Sequence, residues 1–397
     1  MKFYSRIRYK LLFGFMLVAV IPVAATGLYS MDVSGRSLLN QELNAQRQLV
    51  SGQQRSIDSF LSSAKGDIAF LSESAPLTHF LAVRRQNPSS TETVQAREAV
   101  EREFLAFAKS RGIYYQVRYL DEAGREIVRV DTDGKGQPAL ISQDRLQDQS
   151  GRYYFKDTAA LPKGNTFVSP LDLNRERGKV EVPHKPVIRY GLPVQYLDGS
   201  QAGIVVTNID AGSFLQNMSD VMLLDTDGFY LNHPDPAKRW GSKRDLNHGE
   251  NFTKDFMVDA ADVMRELQGS VTKGADVITF QRVAVPGSDA QWILVLRQPR
   301  DKVLASVDQF RITFLEILVG ALVTALILAL ILDTMITRPI EYLTLRAEKV
   351  SLGEDLSGEV QVADRGEIGL LAEAFERMRV SMVILMERVR KKSGSNI

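Results

Sequence analysis

Between residues 113 and 210 the chain gathers side chains that could hold a small ligand. Arg118 and Arg129 stand in the apolar runs "IYYQVRYL" and "REIVRVD". Tyr153 and Tyr154 follow in "RYYFKD", and Asp172, Asn174, Lys185 and Arg189 in "SPLDLNRERGKVEVPHKPVIRYGLPV". An arginine offers a planar fork that matches a carboxylate or phosphate, and a tyrosine offers an apolar wall with one hydroxyl. The same residues fit a plainer reading, in which Arg118 and Asp172 form structural ion pairs and the tyrosines fill a core.

Other chemistry lacks its parts. The chain has no cysteine, and its four histidines show no zinc spacing. "DTDG" occurs twice, at Asp131 and Asp225. Neither copy has the further oxygen ligands and late glutamate of a calcium loop, so both read as turns. His233, in "NHPDP", reads as part of a shaped turn. There is no G-x-S-x-G nucleophile motif. No metal, no cofactor and no enzymatic activity are therefore expected. The 49 basic and 48 acidic residues give a net charge of +1, so nothing calls for a nucleic-acid partner.

The elements that must carry these side chains change period along the chain. From Met31 to about Leu81, Leu39, Leu43, Val50, Ile57, Leu61, Ala64, Ile68 and Leu71 recur at helical spacing. One helix of roughly 70 Å is expected, at about 1.5 Å per residue. A second helix, "TETVQAREAVEREFLAFAKSR", ends at Gly112. After it the period becomes extended. "IYYQVRYLDEAGREIVRVD" reads as a hairpin around "DEAG". About a hundred residues later "VMLLDTDGFYLNHPD" repeats the form, with Leu120-Asp121-x-x-Gly124 matched by Leu224-Asp225-x-x-Gly228. Strand-like runs close each half, which predicts an α+β fold of two tandem lobes.

Two segments are long and apolar enough to cross a membrane, residues 11–29 and residues 312–332. Lys2, Arg6, Arg8 and Lys10 precede the first and place residues 1–10 in the cytoplasm. Residues 30–311 then lie outside, periplasmic where a periplasm exists, and the C-terminus returns to the cytoplasm. The alternative for the first segment is a signal peptide cut near Val23 and Ala25.

This order resembles the double-Cache, or tandem PAS-like, sensor domains of bacterial receptors. The stretches "VRYLDEAGREIVRV", "LQDQSGRYYFKD", "SPLDLNRERGKVEVPHKPVIRYGLPV" and "GFYLNHPDPAKRWG" carry the likeness over about residues 31 to 311. The resemblance implies a membrane-distal lobe at about 113–210 that binds the ligand and a proximal lobe at about 211–300. It also implies that Arg118, Arg129, Tyr153, Tyr154, Asp172 and Arg189 line the pocket. The motif of amino-acid-binding members is incomplete, so the ligand class stays open, with a small organic anion expected.

Residues 333–389 resemble a HAMP linker. Ile336, Ile340, Leu343, Ala347 and Val350 form one heptad seam, and Ile368, Leu371, Phe375, Met378, Met382, Leu385 and Val389 a second. Pro339 falls in the first turn after the membrane and Gly353 stops the first helix. Leu356 and Val360 are available to pack from the connector. "GEIGLLAEAFERM" is similar to the family's second-helix signature, with Glu367 and Gly369 in the usual places and Gly366 where an aspartate is general. Two seams per chain close as a parallel four-helix coiled coil in a homodimer. The alternative is an amphipathic helix lying on the membrane.

Only 65 residues follow Leu332, and His79, His184, His233 and His248 all precede the second membrane segment. The expectation is a transmembrane receptor whose output protein is a separate cytoplasmic partner that recognises the end of the second helix, around Met382 to Lys392, with residues 390–397 as a tail. Two alternatives stay open: a chemoreceptor, kinase or diguanylate cyclase lacking its output domain, and a structural membrane dimer that senses nothing.

Overall fold

The computed structural model describes residues 7–133, 136–176, 178–257, 259–272, 275–354, 357–360, 362 and 366–393. It divides into two compact units, Asn40–Leu304 and a second made of Met1–Leu39 with Ala305–Ile397.

Within the first unit, helix α1 (Ile7–Ser72) buries the expected stripe of Val50, Ile57, Leu61, Ala64, Ile68 and Leu71. The helix ends at Ser72 rather than near Leu81. Ser74 starts a new helix, α2 (Ala75–Gln86), by accepting the Leu77 N–H on its hydroxyl at 3.4 Å. Pro76, in the first turn of α2, has no N–H with which to extend the ladder of α1. Helix α3 (Thr91–Arg111) starts on Ser90 and stops at Gly112, φ 64°, as the sequence indicates.

The strands of the first lobe, called distal and the second proximal only as labels taken from the resemblance above, are β1 (Tyr114–Leu120), β2 (Glu126–Thr132), β3 (Pro138–Leu140), β4 (Phe167–Val168), β5 (Asp172–Leu173), β6 (Arg175–Glu176), β7 (Lys179–Val180), β8 (Pro186–Gln195) and β9 (Gln201–Asp210). They form an antiparallel sheet in the order β3-β2-β1-β9-β8-β4. Strand β5 also pairs with β8, and β6 and β7 make a separate ribbon. Strand alternation gives the sheet two faces. Val117, Tyr119, Val130, Val205 and Ile188 pack into one core with residues of α1, α2 and α3. The other face carries the polar residues described below and helix α4 (Tyr153–Ala159). Gly191 of β8 lets α4 come close: a Cβ there would sit 2.4 Å from the Thr158 hydroxyl.

The proximal lobe repeats the plan. It contains α5 (Gly212–Leu215), β10 (Val221–Leu224), β11 (Tyr230–Asn232), α6 (Phe252–Asp255), α7 (Ala260–Arg265), β12 (Gln268–Val271), β13 (Asp276–Ala284) and β14 (Gln291–Pro299). Its sheet order is β11-β10-β14-β13-β12. Leu223, Leu294 and Leu296 join the core shared with α1, while Leu224, Ile293 and Val295 face a second core with Phe252 and Val263. The repeated Asp-x-x-Gly is one turn used twice. Asp121 Oδ1 accepts from the N–H groups of Ala123 (3.0 Å) and Arg125 (2.9 Å). Asp225 Oδ1 accepts from those of Asp227 (3.0 Å) and Phe229 (2.8 Å). Gly124 and Gly228 share a φ of 83°, which an L side chain rarely adopts.

The second unit holds the start of α1, helix α8 (Arg300–Leu332), a π-helical turn at Asp333–Thr337, α9 (Arg338–Ser351) and α10 (Glu367–Ser393). Two helices are long and apolar enough to cross a membrane, and only 6% of each apolar window is buried. A helix in a water-soluble core would bury that surface, so the exposure fits lipid. The tip of the Phe314 ring of α8 abuts Gly27 of α1, where a Cβ would come within 1.7 Å of it.

Pro339 sits in the first turn of α9, and Gly353 follows its end with φ 74°. Leu356 lies outside the described residues. Val360 of the connector packs with Leu343 and Ala372. Glu367 opens α10, and Gly369 is buried on it. The helix runs to Ser393, past the expected end at residue 389. Glu376, unremarked in the sequence, anchors the connector: its Oε2 accepts from Val360 N at 3.0 Å and Arg379 Nε at 2.9 Å. Hydrogen bonding from Arg379 brings its carboxyl down to about 2. Ile340, Leu371, Met378, Leu385 and Val389 of the seams are exposed within one chain.

Candidate ligand-binding site

Two neighbouring rungs of the distal sheet build the site. One runs Asp131, Gln116, Asn208, Arg189 across β2, β1, β9 and β8. The next runs Arg129, Arg118, Val206, Gly191. Residues two apart share a face, so both rungs point away from the helical core. Over them lies a cavity of about 270 Å³, lined by Arg118, Arg129, Arg152, Tyr154, Arg189 and Asn208, with Arg175 and Glu176 entering from β6. A second cavity of about 570 Å³ shares Gln116, Arg129, Gln147, Asn174 and Glu176 with it and reaches Tyr115 and Lys185.

The charges are held in place from behind. Arg118 is 3% exposed. It donates through Nη1 to Tyr154 OH (3.1 Å) and Glu126 Oε1 (3.3 Å), and through Nη2 to Asn208 Oδ1 (2.9 Å). Glu126 has a side chain with no exposure. It also accepts from Arg129 Nη1 (3.4 Å), Gln149 Nε2 (3.2 Å) and Gln147 N (3.0 Å). Arg129 meets Asp131 through Nε at 2.8 Å and Nη2 at 2.6 Å. Burial works against the charge on Arg129, and Asp131 outweighs it, so the guanidinium is held more firmly than usual. Arg189 donates to Asp172 Oδ1 at 2.8 Å and to Asn174 Oδ1 at 3.3 Å. Burial pushes the Asp172 carboxyl above its ordinary range; Arg189 opposes the shift, and the nearby charge of Asp245 adds to it.

Positive charge is left over. Among the described residues Arg152 has no carboxylate partner, and its guanidinium lies 5.7 Å from the centre of the Tyr154 ring. Arg175 donates to two backbone carbonyls, of Gly178 at 3.2 Å and Arg244 at 2.7 Å. The Nε–H groups of Arg118 and Arg152 are buried without an acceptor. Buried donors are ordinarily satisfied, and leaving one unmet costs about 1–3 kcal/mol. The smaller cavity is lined by five arginines against one carboxylate, Glu176, a balance that suits an oxyanion.

Arg118, Arg129, Tyr154 and Arg189 are thus brought together. Asp172 stands behind Arg189. Tyr153 does not line the smaller cavity: its ring packs on Phe167, and its hydroxyl is 3.5 Å from Arg189. Lys185 lines the larger cavity and pairs with Glu181. The ion-pair reading also holds for Arg118 and Asp172, with Glu126 and Arg189 as their partners. Glu126, Gln149, Arg152, Gln116 and Asn208 were missed. Gln116 was legible as a polar residue two positions before Arg118, whereas Asn208 meets its arginines only across the sheet. In the other lobe His233 Nδ1 accepts from Asp235 N at 2.9 Å, a turn as expected. No group of three potential metal ligands occurs among the described residues.

A sheet-rich sensor, two candidate spans and a HAMP pair together define a membrane sensing receptor. The bacterial histidine kinase sensor-domain model matches residues 41–296, and the HAMP model matches residues 334–383. The chain belongs to that sensor family, followed by a HAMP domain, as the Cache-like and HAMP resemblances led one to expect. Its fold is that of the extracellular domain of vpHK1S-Z8, a protein assigned to the histidine kinases. That match has a TM-score of 0.59 and 21% identity and covers 68% of this chain and 95% of the other. A domain of a sensory box/GGDEF family protein from Vibrio parahaemolyticus is similar, with a TM-score of 0.59, 20% identity, and 67% and 99% covered. In sequence, 172 residues are 27% identical to the methyl-accepting chemotaxis protein McpC of Bacillus subtilis (strain 168). The match takes in 43% of this chain and 24% of that protein.

Proposed function

We propose that the chain is a two-pass receptor of a bacterial inner membrane, with residues 30–311 outside and both termini in the cytoplasm. Its distal lobe, about residues 113–210, binds a small anion, and the proximal lobe at about 211–300 relays occupancy to the membrane. Arg118, Arg129, Arg152 and Arg189 supply the charge and Tyr154 one wall. The observation that supports this reading is a cavity lined by five arginines, Arg118, Arg129, Arg152, Arg175 and Arg189, against one carboxylate, Glu176. The signal passes through residues 333–389, paired in a homodimer through the exposed seam residues, to a cytoplasmic output protein. The chemistry of the site is recognition, with no catalytic step.

The test is binding of pyruvate, succinate, sulfate and phosphate to the full chain in lipid nanodiscs. At least one should raise the unfolding temperature; no shift with any would overturn the anion reading. Acidity adds a signature. Proton uptake by Asp172 releases Arg189 and makes the cavity more positive, so anion affinity rises as pH falls through the raised Asp172 range. Pyruvate and sulfate keep their charge through that window, so they report the protein's titration. Asp172→Asn should give high affinity with the pH dependence flattened. An unchanged pH profile in that variant would remove Asp172 from the linkage.

A second reading is favoured by the length of the chemotaxis relative, of which 24% is matched. In it, the output region is encoded beyond residue 397 in the same polypeptide. The genomic sequence past that codon separates the two.

A further inference from the structure

Residues 171–176 supply Asp172, Asn174, Arg175 and Glu176 to the distal site with little strand pairing of their own. β5 pairs with β8 over two residues, and β6 and β7 pair only with each other. Within the lobe Asn174 N donates to the Lys185 carbonyl at 2.8 Å, and further restraints of similar length come from the proximal lobe. Asp245, buried in the loop between β11 and α6, accepts the Leu173 N–H on Oδ1 at 2.8 Å and the Ser242 hydroxyl on Oδ2 at 2.7 Å. Beside it, the carbonyl of Arg244 accepts from Arg175 at 2.7 Å. Leu173 lies between Asp172 and Asn174, and both neighbours hold Arg189. The loop is itself specified: Trp240 has φ 65° and Asn247 φ 57°, and the Trp240 side chain is buried in the core shared with α1. A left-handed tryptophan persists only where its surroundings fix it.

The geometry points to Asp245 as a positioning residue for the distal site: from the proximal lobe it fixes Leu173, and through Leu173 the two partners of Arg189. The inference rests on the distal cavity being the ligand site. It gives the lobes a defined joint. A ligand that draws Arg189 away from Asp172 and Asn174 alters the segment whose backbone Asp245 grips, and the coupling is reciprocal.

The test is hydrogen exchange of the full chain in nanodiscs, comparing wild type with Asp245→Ala and Asp245→Asn. In Asp245→Ala, exchange in peptides covering 171–181 should rise about tenfold, the loss of one charge-assisted hydrogen bond. Peptides of β1 and β13 should not change. Asp245→Asn keeps an acceptor for Leu173 and should restore most of the protection. No rise in Asp245→Ala, an equal rise throughout both lobes, or no rescue by asparagine would overturn the proposal. Adding sulfate or succinate in the same experiment tests the ligand reading by itself. Absence of protection near Arg152 in wild type would count against that reading, while the exchange at 171–181 still decides the role of Asp245.

Discussion

Replacing Arg118 or Arg152 by alanine is expected to reduce sharply the thermal stabilisation that a binding anion gives the full chain. Arg118 is held between Tyr154, Glu126 and Asn208, so it meets a ligand already oriented. Arg152 has no ion pair of its own among the described residues and can commit its charge to the ligand. Hydrogen bonds to charged groups contribute about 1.5–3 kcal/mol, so each loss should weaken binding by roughly 10- to 100-fold. Arg152→Ala is the cleaner variant, because no buried carboxylate is left behind. Melting curves with pyruvate, succinate, sulfate and phosphate provide the check. Unchanged stabilisation in either variant would remove that arginine from the site.

A second large effect is expected at Glu126, on stability rather than on binding alone. Its carboxylate is buried and takes donors from Arg118, Arg129, Gln147 and Gln149. Glu126→Ala leaves the Arg118 guanidinium buried without a counter-charge, while Arg129 keeps Asp131. Breaking a buried pair from one side costs about 3–5 kcal/mol. The urea midpoint should therefore fall sharply with its slope preserved. Glu126→Gln keeps an acceptor and should lose less. A midpoint within error of wild type would show that Glu126 does not hold the arginines in place.

Much of this could be read from the sequence because the signals are local. The stripe on α1, the hairpin around "DEAG" and the repeated Asp-x-x-Gly turn follow from periodicity and turn chemistry. Arg118, Arg129 and Arg189 stood out as charges inside strands. The break at Ser74 was missed because the apolar spacing continues through it, and only the cap and Pro76 mark the end. Arg152 and Glu126 were passed over because nothing local separates a charge that lines a cavity or core from one on the surface. Their placement together appears only when β1, β2 and α4 close around them. The grip of Asp245 on Leu173 joins residues 72 positions apart, and no spacing rule reaches that far.

The measurement that tests the account most directly uses the absence of natural cysteine. Leu385→Cys places a single thiol on the exposed seam of α10, and disulfide formation between copies in nanodiscs reports both pairing and its change. Cross-linking should occur, and its rate should shift when a stabilising anion is added, with no shift in the Arg152→Ala background. Absence of cross-linking, or the same rate with the cavity empty and saturated, would contradict a dimeric receptor that passes occupancy of the distal lobe to its HAMP helices.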